Sequence, residues 1–292
     1  MDINYELYKV FYYVADTLSF SEASKQLFIS QSAVSQSIKA LEKKLDQVLF
    51  IRSTKKVQLT PEGEILLRHI EPAINLIKRG ESQIMETAST GGQIRIGASD
   101  TICRYFLVPY LERFHKAFPN AHIKVTNATS IKCTELLENG QVELIVANYP
   151  NVYLGSLATF RKIREFHDVF IANQSFAELQ GKKLSLKELQ RYPIIMLDRK
   201  STTSEFLHSL FQQHQLDLVP EIELSSNDLL IDLARIGLGI AFIPDYCVPK
   251  NSDQLFVVQT EEQLPKRQLV AAWNGHVPVS RATQAFLDYF NA

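Results

Sequence analysis

The 292-residue sequence predicts an α+β multidomain protein, with an N-terminal winged helix-turn-helix, a long linker helix and a C-terminal α/β region. Three observations carry this expectation. Two serine-capped helical segments and a short strand–turn–strand fill residues 1–60. A capped, apolar-striped helix starts at Thr60-Pro61. Beyond residue 91, apolar strand-like runs alternate with helix-length segments, the signature of α/β units with parallel sheets.

Composition narrows the function classes. A net charge of −1 means that any contact with nucleic acid must come from a local patch rather than from bulk charge. The opening MDINYELYKVF has early acids and no long apolar core, so no secretory signal is expected. No run approaches the ~18 apolar residues of a membrane span. Cys103, Cys133 and Cys247 are odd in number and widely spaced, which gives no disulfide framework or zinc spacing and fits a reducing cytoplasmic setting. The sequence has no glycine-rich phosphate loop and no Gly-x-Ser-x-Gly elbow, and its seven histidines include no i,i+4 pair. Catalysis, a cofactor and a metal are therefore not expected.

Taken in chain order, Ser19-x-x-Glu22 is a capping box that starts a helix, with Ala23 and Leu27 on its inner face. Phe28-Ile29 breaks the pattern and Ser30 caps a second helix. There Val34, Ile38, Leu41 and Leu45 form one apolar stripe, and Gln31, Ser32, Ser35, Gln36 and Lys39 lie opposite. Small polar side chains at the start of such a helix fit a major groove. Between Lys25 and Lys56 stand seven bases (Lys25, Lys39, Lys43, Lys44, Arg52, Lys55, Lys56) and two acids (Glu42, Asp46), a local charge of 7 − 2 = +5. On charge alone a solvated face explains this equally well; the caps and the stripe tip the reading toward DNA. Leu49–Arg52 and Val57–Thr60 read as a hairpin tipped by Lys55 and Lys56, a wing suited to phosphates.

Thr60 is an N-cap, Pro61 suits the first helical position, and a helix of 28 residues is expected over Pro61–Ala88, with Pro72 tending to kink it. Leu66, Ile70, Ala73, Ile77, Gly80 and Ile84 recur in alternating steps of four and three, a heptad seam that argues for a partner helix, the alternative being a helix packed only on its own domain. Ser89-Thr90-Gly91-Gly92 reads as a linker. Strand runs then follow at Ile94–Ala98, Ile123–Thr126, Leu144–Ala147, Ile194–Leu197, Ile222–Leu224 and Ile240–Ile243. Three strand-to-helix junctions place hydroxyls at helix starts: Ser99-Asp100-Thr101, Asn127-Ala128-Thr129-Ser130 and Arg199-Lys200-Ser201-Thr202-Thr203. Plain N-capping explains any one of them; three in one α/β region point to a ligand at the carboxyl edge of a sheet.

Residues 5–64 resemble the DNA-binding domain of the LysR-type transcriptional regulators. The stretches that carry the likeness are Ser19–Leu27, Ser30–Ile38, Leu41-Glu42, Leu49–Arg52 and Leu59–Gly63. The resemblance implies that Ser21, Gln31, Ser32, Ser35, Gln36 and Lys39 face DNA, with Arg52, Lys55 and Lys56 on its backbone. Three departures stand out. Ser32 replaces the usual proline, Gln36 a common arginine, and Asp46 a common glycine. The first is harmless in a first turn, the second removes a cationic contact, and the third asks Asp to adopt a left-handed conformation.

The region 92–292 resembles the LysR-type effector domain, related to type 2 periplasmic binding proteins, through Ile94–Ser99, Phe118-Pro119, Asp198–Ser204 and Ile236–Pro244. The implied organisation is a DNA-binding domain over 1–60, a dimerising linker helix over 61–91, and two lobes (92–161 with 267–292, and 162–266) joined by crossing strands around a ligand. Ser99, Thr101, Thr129, Asn148, Ser201, Thr202 and Thr203 are the implied effector contacts. A small anionic or polar molecule suits helix N-termini and hydroxyls. Arg104 and Arg199 are read either as partners for a ligand carboxylate or as plain surface charges. The expected partners are double-stranded DNA, the effector and further copies of the chain, as a homodimer or homotetramer. Two rival readings stay open. One is a thiol redox sensor using Cys103 and Cys133 near helix starts, although the peroxide sensors of the family use a cysteine pair in the second lobe, which here holds only Cys247. The other is a DNA-binding protein without a ligand.

Overall fold

The computed structural model describes residues 3–52, 56–85, 92–156, 158–249 and 254–291. The chain forms two compact units: Met1–Met85 with Asn139–Gln141, and the remainder.

In the first unit, α1 (Tyr5–Thr17), α2 (Phe20–Leu27) and α3 (Gln31–Leu45) precede an antiparallel hairpin of β1 (Phe50–Arg52) and β2 (Val57–Leu59), and then α4 (Pro61–Met85). The expected caps form. The Ser19 hydroxyl accepts from the Glu22 amide, and the Ser30 hydroxyl accepts from the Ala33 amide. Val34, Ile38 and Leu41 are fully buried against Phe11 and Val14 of α1, Ala23 of α2 and Phe50 of the hairpin. Each such side chain contributes about 1.5–3 kcal/mol by leaving water. The first three helices end on left-handed residues that are not glycine: Leu18 (φ 47°), Phe28 (φ 55°) and Asp46 (φ 52°). Asp46 takes the conformation its position demands; the other two have apolar side chains to which the region is usually closed.

The helix α4 starts as its residues dictate. The Thr60 hydroxyl accepts from the Gly63 amide at 3.0 Å and donates to the Val48 carbonyl at 2.7 Å. A Cβ on Gly63 would stand 2.3 Å from the Leu49 carbonyl oxygen, so only glycine lets this helix start lie against the hairpin. The helix runs through Pro72 to Met85; the expected extension to Ala88, and residues 89–91 of the expected linker, lie outside the described residues. Its apolar seam divides in two. Leu66 and Ile70 pack on the core of their own unit, whereas Ile77 and Ile84 are exposed, the latter by 86%.

The second unit contains two sheets. The first is built from β3 (Gln93–Ala98), β4 (His122–Asn127), β5 (Leu144–Tyr149) and β6 (Ala158–Phe166), with α5 (Asp100–Ile102), a π-helical turn (Cys103–Leu107), α6 (Val108–Ala117) and α7 (Ser130–Glu138) between them. The second contains β7 (Asp168–Asn173), β8 (Lys183–Leu184), β9 (Ile194–Leu197), β10 (Ile222–Leu224), β11 (Ile240–Pro244) and β12 (Leu255–Thr260), with α8 (Leu186–Leu189), α9 (Thr202–Gln213) and α10 (Asn227–Arg235). The chain then returns through β13 (Arg267–Asn274), which enters the first sheet, and ends in α11 (Arg281–Asp288). Strand orders are β4-β3-β5-β13-β6 and β10-β9-β11-β7-β12-β8. The expectation of parallel sheets needs correction, because β13 runs antiparallel to β5 and β6, and β7 antiparallel to β11 and β12. The antiparallel members are the strands that enter or leave the two crossings at 167 and 261–266. Each sheet has its own apolar core; Ile96, Phe114 and Phe286 centre one, Phe170, Phe211 and Phe242 the other.

Candidate functional sites

The exposed face of α3 presents Gln31, Ser32, Gln36 and Lys39, with Ser35 half-buried beside them and Ser21 exposed at the start of α2. Gln31, Ser32, Ser35, Arg52, Val57 and Phe20 line one shallow concavity. The Ser32 hydroxyl lies 2.9 Å from that of Ser30, which ties the first exposed turn to its cap. Arg52, expected on the DNA backbone, spends its guanidinium on the domain itself. It donates to the Ser35 hydroxyl at 3.1 Å, lies 3.8 Å from the Glu42 carboxylate, and stacks 4.4 Å from the Phe20 ring centroid. Glu42 also accepts from the Leu49 amide at 2.9 Å, so this cluster pins the hairpin to α3. Lys56 is exposed at the hairpin, and Lys55 lies outside the described residues.

The second site is a cleft of about 250 Å³ between the two sheets of the second unit. All seven expected residues, Ser99, Thr101, Thr129, Asn148, Ser201, Thr202 and Thr203, line it. The local reason is common to most of them. Each strand ends at the cleft and turns into a helix whose N-cap hydroxyl faces the same space. The Ser99 hydroxyl accepts from the Ile102 amide, Thr129 from Lys132, and Ser201 from Ser204. A hydroxyl that accepts from its own helix keeps its proton for a ligand. The fourth junction, Ser225-Ser226-Asn227 at the start of α10, was not singled out from the sequence. It has the same signal, a strand run at Ile222–Leu224 followed by small polar residues, and its Ser226 hydroxyl accepts from Leu229. Asp100, Asp198, Asn127 and Ser130 also line the cleft and were missed as contacts.

The lobes touch directly across this space. Asn227 donates through its side-chain amide to the Thr101 hydroxyl at 2.9 Å, and Asn148 to that of Thr202 at 3.3 Å. The Tyr105 hydroxyl donates to Asp228 at 2.6 Å, and Arg104 lies 3.5 Å from the same carboxylate. Neither Arg104 nor Arg199 lines the cleft, so the reading of either as a direct partner for a ligand is set aside.

Behind Thr202 and Thr203 lies a buried ion pair. Arg267, at the start of β13, donates to Asp168, at the start of β7, over 2.8 Å. It also donates to the hydroxyls of Thr203 at 3.1 Å and Thr202 at 3.3 Å. Burial pushes the Asp168 carboxyl up and the Arg267 guanidinium draws it back. The pair stands where the chain crosses between the sheets, with Arg267 level with Phe166 across β6.

The cysteines do not suit thiol chemistry. Burial pushes the Cys103 thiol up to about 11 and Cys133 up to about 12, and raises Cys247 as well. A thiolate is the reactive form, and all three environments disfavour it.

The comparisons with known proteins agree with this geometry. Residues 5–64 match the model of the bacterial regulatory helix-turn-helix protein, lysR family, and residues 87–292 match that of the LysR substrate binding domain. A probable RuBisCO transcriptional regulator of Synechocystis sp. is 27% identical over 281 residues, covering 94% of this chain and 81% of that protein. The crystal structure of full-length CbnR with its target DNA superposes with a TM-score of 0.68 at 17% identity, covering 99% of each chain. The regulatory domain of Synechocystis PCC6803 CcmR in complex with 2-PG gives 0.62 at 21% identity, over 68% of this chain and 95% of that one. Helix-turn-helix, mixed α/β lobes and family models converge: the chain belongs to the LysR family of DNA-binding transcription regulators, with an effector-binding domain at its C-terminal side.

Proposed function

We propose that the chain reads its DNA site through Ser21, Gln31, Ser32, Ser35, Gln36 and Lys39, with Lys55 and Lys56 on phosphates. We further propose that a small polar or anionic metabolite between the lobes controls it. The carrying observation is the convergence of four capped helix starts, and of all seven expected side chains, on one small cleft. A volume of about 250 Å³ suits a metabolite rather than a drug-sized molecule, whose sites run to roughly 300–1,000 Å³. The exposed Ile77 and Ile84 of α4 support pairing with a second copy, which would present two recognition helices to a two-fold DNA site. Arg52 enters as a residue that positions Ser35 rather than as a backbone contact. Transcriptional control calls for no catalytic step by this chain. Among the described residues no helix is long and apolar enough to cross a membrane, and a cytoplasmic site of action completes the proposal.

Two measurements test it. In salt titrations of DNA binding, Lys39→Ala should lower affinity for all sequences and reduce the slope of log K against log salt by about 1. Gln31→Ala should relax preference at one base position, by about 1–3 kcal/mol. Binding that ignores both substitutions would refute the assigned face. For the cleft, a metabolite that binds only the folded state raises the melting temperature. At a hundredfold excess over Kd the gain is about 2.7 kcal/mol, and Thr202→Val should remove it.

A further inference from the structure

The cleft wall has an unusual balance of charge. No arginine, lysine or histidine lines it among the described residues, while two carboxylates, Asp100 and Asp198, do. The nearest buried guanidinium, Arg267, is screened from the space by the Thr202 and Thr203 hydroxyls and is already paired with Asp168. The wall therefore offers neutral donors, N-cap hydroxyls that each accept from their own helix and are backed by helix N-termini, together with one anionic acceptor on each lobe, Asp100 beside Ser99 and Asp198 three residues before Ser201. Asp100 commits one oxygen to the Asn127 amide and Asp198 one to the Lys200 backbone, and each keeps a second oxygen.

Two further side chains are incomplete. Asn148 and Asn227 are 9% and 4% exposed, and both line the cleft. Each donates its amide to a threonine across the gap and leaves its oxygen without a partner. Buried polar groups of this kind call for a partner. A fully ionised phosphate or sulfate brings acceptors alone. It would leave these oxygens unmet and would face two carboxylates with no opposing cation in the wall.

We infer that the cleft takes an amino acid, or a similarly small molecule that joins one carboxylate to an ammonium group. The carboxylate sits on the N-cap hydroxyls, and the ammonium donates to the Asp100 and Asp198 carboxylates and toward the unpartnered Asn148 and Asn227 oxygens. This rests on the effector reading above and narrows it. It also separates this chain from the 2-PG-bound neighbour, whose lobes share only its fold.

The test is thermal melting of the full-length protein with each standard L-amino acid, with the matching carboxylic acids that lack the amine, and with sulfate, inorganic phosphate and 3-phosphoglycerate, all at millimolar concentration. The expected result is stabilisation by at least one amino acid and none by its des-amino counterpart. Asp198→Asn should weaken that binding by at least roughly tenfold, and Thr202→Val should abolish it. Asp100→Asn, at an exposed position, serves as a second variant, and an unchanged melting temperature without ligand shows that each variant is folded. Stabilisation by sulfate, phosphate or 3-phosphoglycerate alone, lost in Thr202→Val, would overturn the amino-acid class and leave cleft sensing intact. Stabilisation indifferent to Thr202→Val, or none from any probe, would overturn both.

Discussion

Two arginines of this chain have nearly the same partners in opposite surroundings. Arg52 meets a carboxylate (Glu42), a hydroxyl (Ser35) and a phenyl ring (Phe20) with its side chain 35% exposed. Arg267 meets a carboxylate (Asp168), two hydroxyls (Thr202, Thr203) and the rings of Phe206 and Phe166 with its side chain 1% exposed. Contacts are alike; the dielectric is not. At Arg52 water screens the charges, and the cluster holds geometry at little energetic stake. At Arg267 two ions have left water together, and each depends on the other to offset that cost. The first arginine ties the hairpin to α3. The second locks the crossing strands to the wall of the cleft.

The contrast is broken most forcefully at Arg267. Arg267→Met leaves the Asp168 carboxylate buried and alone, and should cost about 3–5 kcal/mol in urea unfolding. A loss under 1 kcal/mol would mean that the crossing region is wetter than its burial indicates. Combining Arg267→Met with Asp168→Leu sharpens the point. Stability should return to within about 1–2 kcal/mol of the parent, while stabilisation by any cleft ligand stays impaired, because Thr202 and Thr203 have lost the donor that orients them. Arg52→Met should cost no more than about 1 kcal/mol in unfolding, yet weaken DNA binding measurably in gel-shift titrations, since Ser35 and the hairpin lose their tie. If its two readouts fall in proportion, Arg52 is structural after all.

The smallest expected effect is in the thiols. With Cys103 pushed up to about 11 and Cys133 up to about 12, both stay protonated at neutral pH. Peroxide treatment should leave DNA binding unchanged, and a thiolate-directed dye should react at pH 8 far more slowly with native than with unfolded protein. The sign for stability follows. Below the ordinary thiol value of 9.0 the cysteines add no pH dependence; above it the unfolded chain releases protons that the folded chain retains, so stability falls as pH rises toward 11. Rapid labelling of native Cys103 would contradict the buried-thiol account.

Local chemistry was legible from the sequence, and long-range pairing was not. Ser19, Ser30, Thr60, Ser99 and Ser201 announce their helices because a cap needs only the next three residues. The stripe Val34, Ile38, Leu41 has a period that a single helix reveals. The seven cleft side chains were within reach for the same reason, as was the neglected Ser225-Ser226-Asn227 junction. Arg267 and Asp168 are 99 positions apart, and nothing near either in the chain names the other. Arg104 illustrates the same limit, because its partner Asp228 lies on another lobe. The strand β6 mixes polar and apolar residues, which hides it, whereas β7, β12 and β13 hold apolar runs (Val169–Ala172, Leu255–Val258, Leu269–Trp273) as continuous as that of β5 and were legible in the same way. The heptad spacing makes one continuous surface in the sequence, whereas Leu66 and Ile70 are used by the core of their own unit.

The place of β13 between β5 and β6 sets an order on biosynthesis. All six strands of the second sheet have been made once Thr260 leaves the ribosome, whereas the first sheet still waits for Arg267–Asn274. Until then β5 and β6 have no common neighbour. A nonsense codon between positions 261 and 267 would thus release a chain with every strand of the second sheet made and β6 cut off from β5 in the first. Such a product leaves an unpaired edge on β5 and invites degradation.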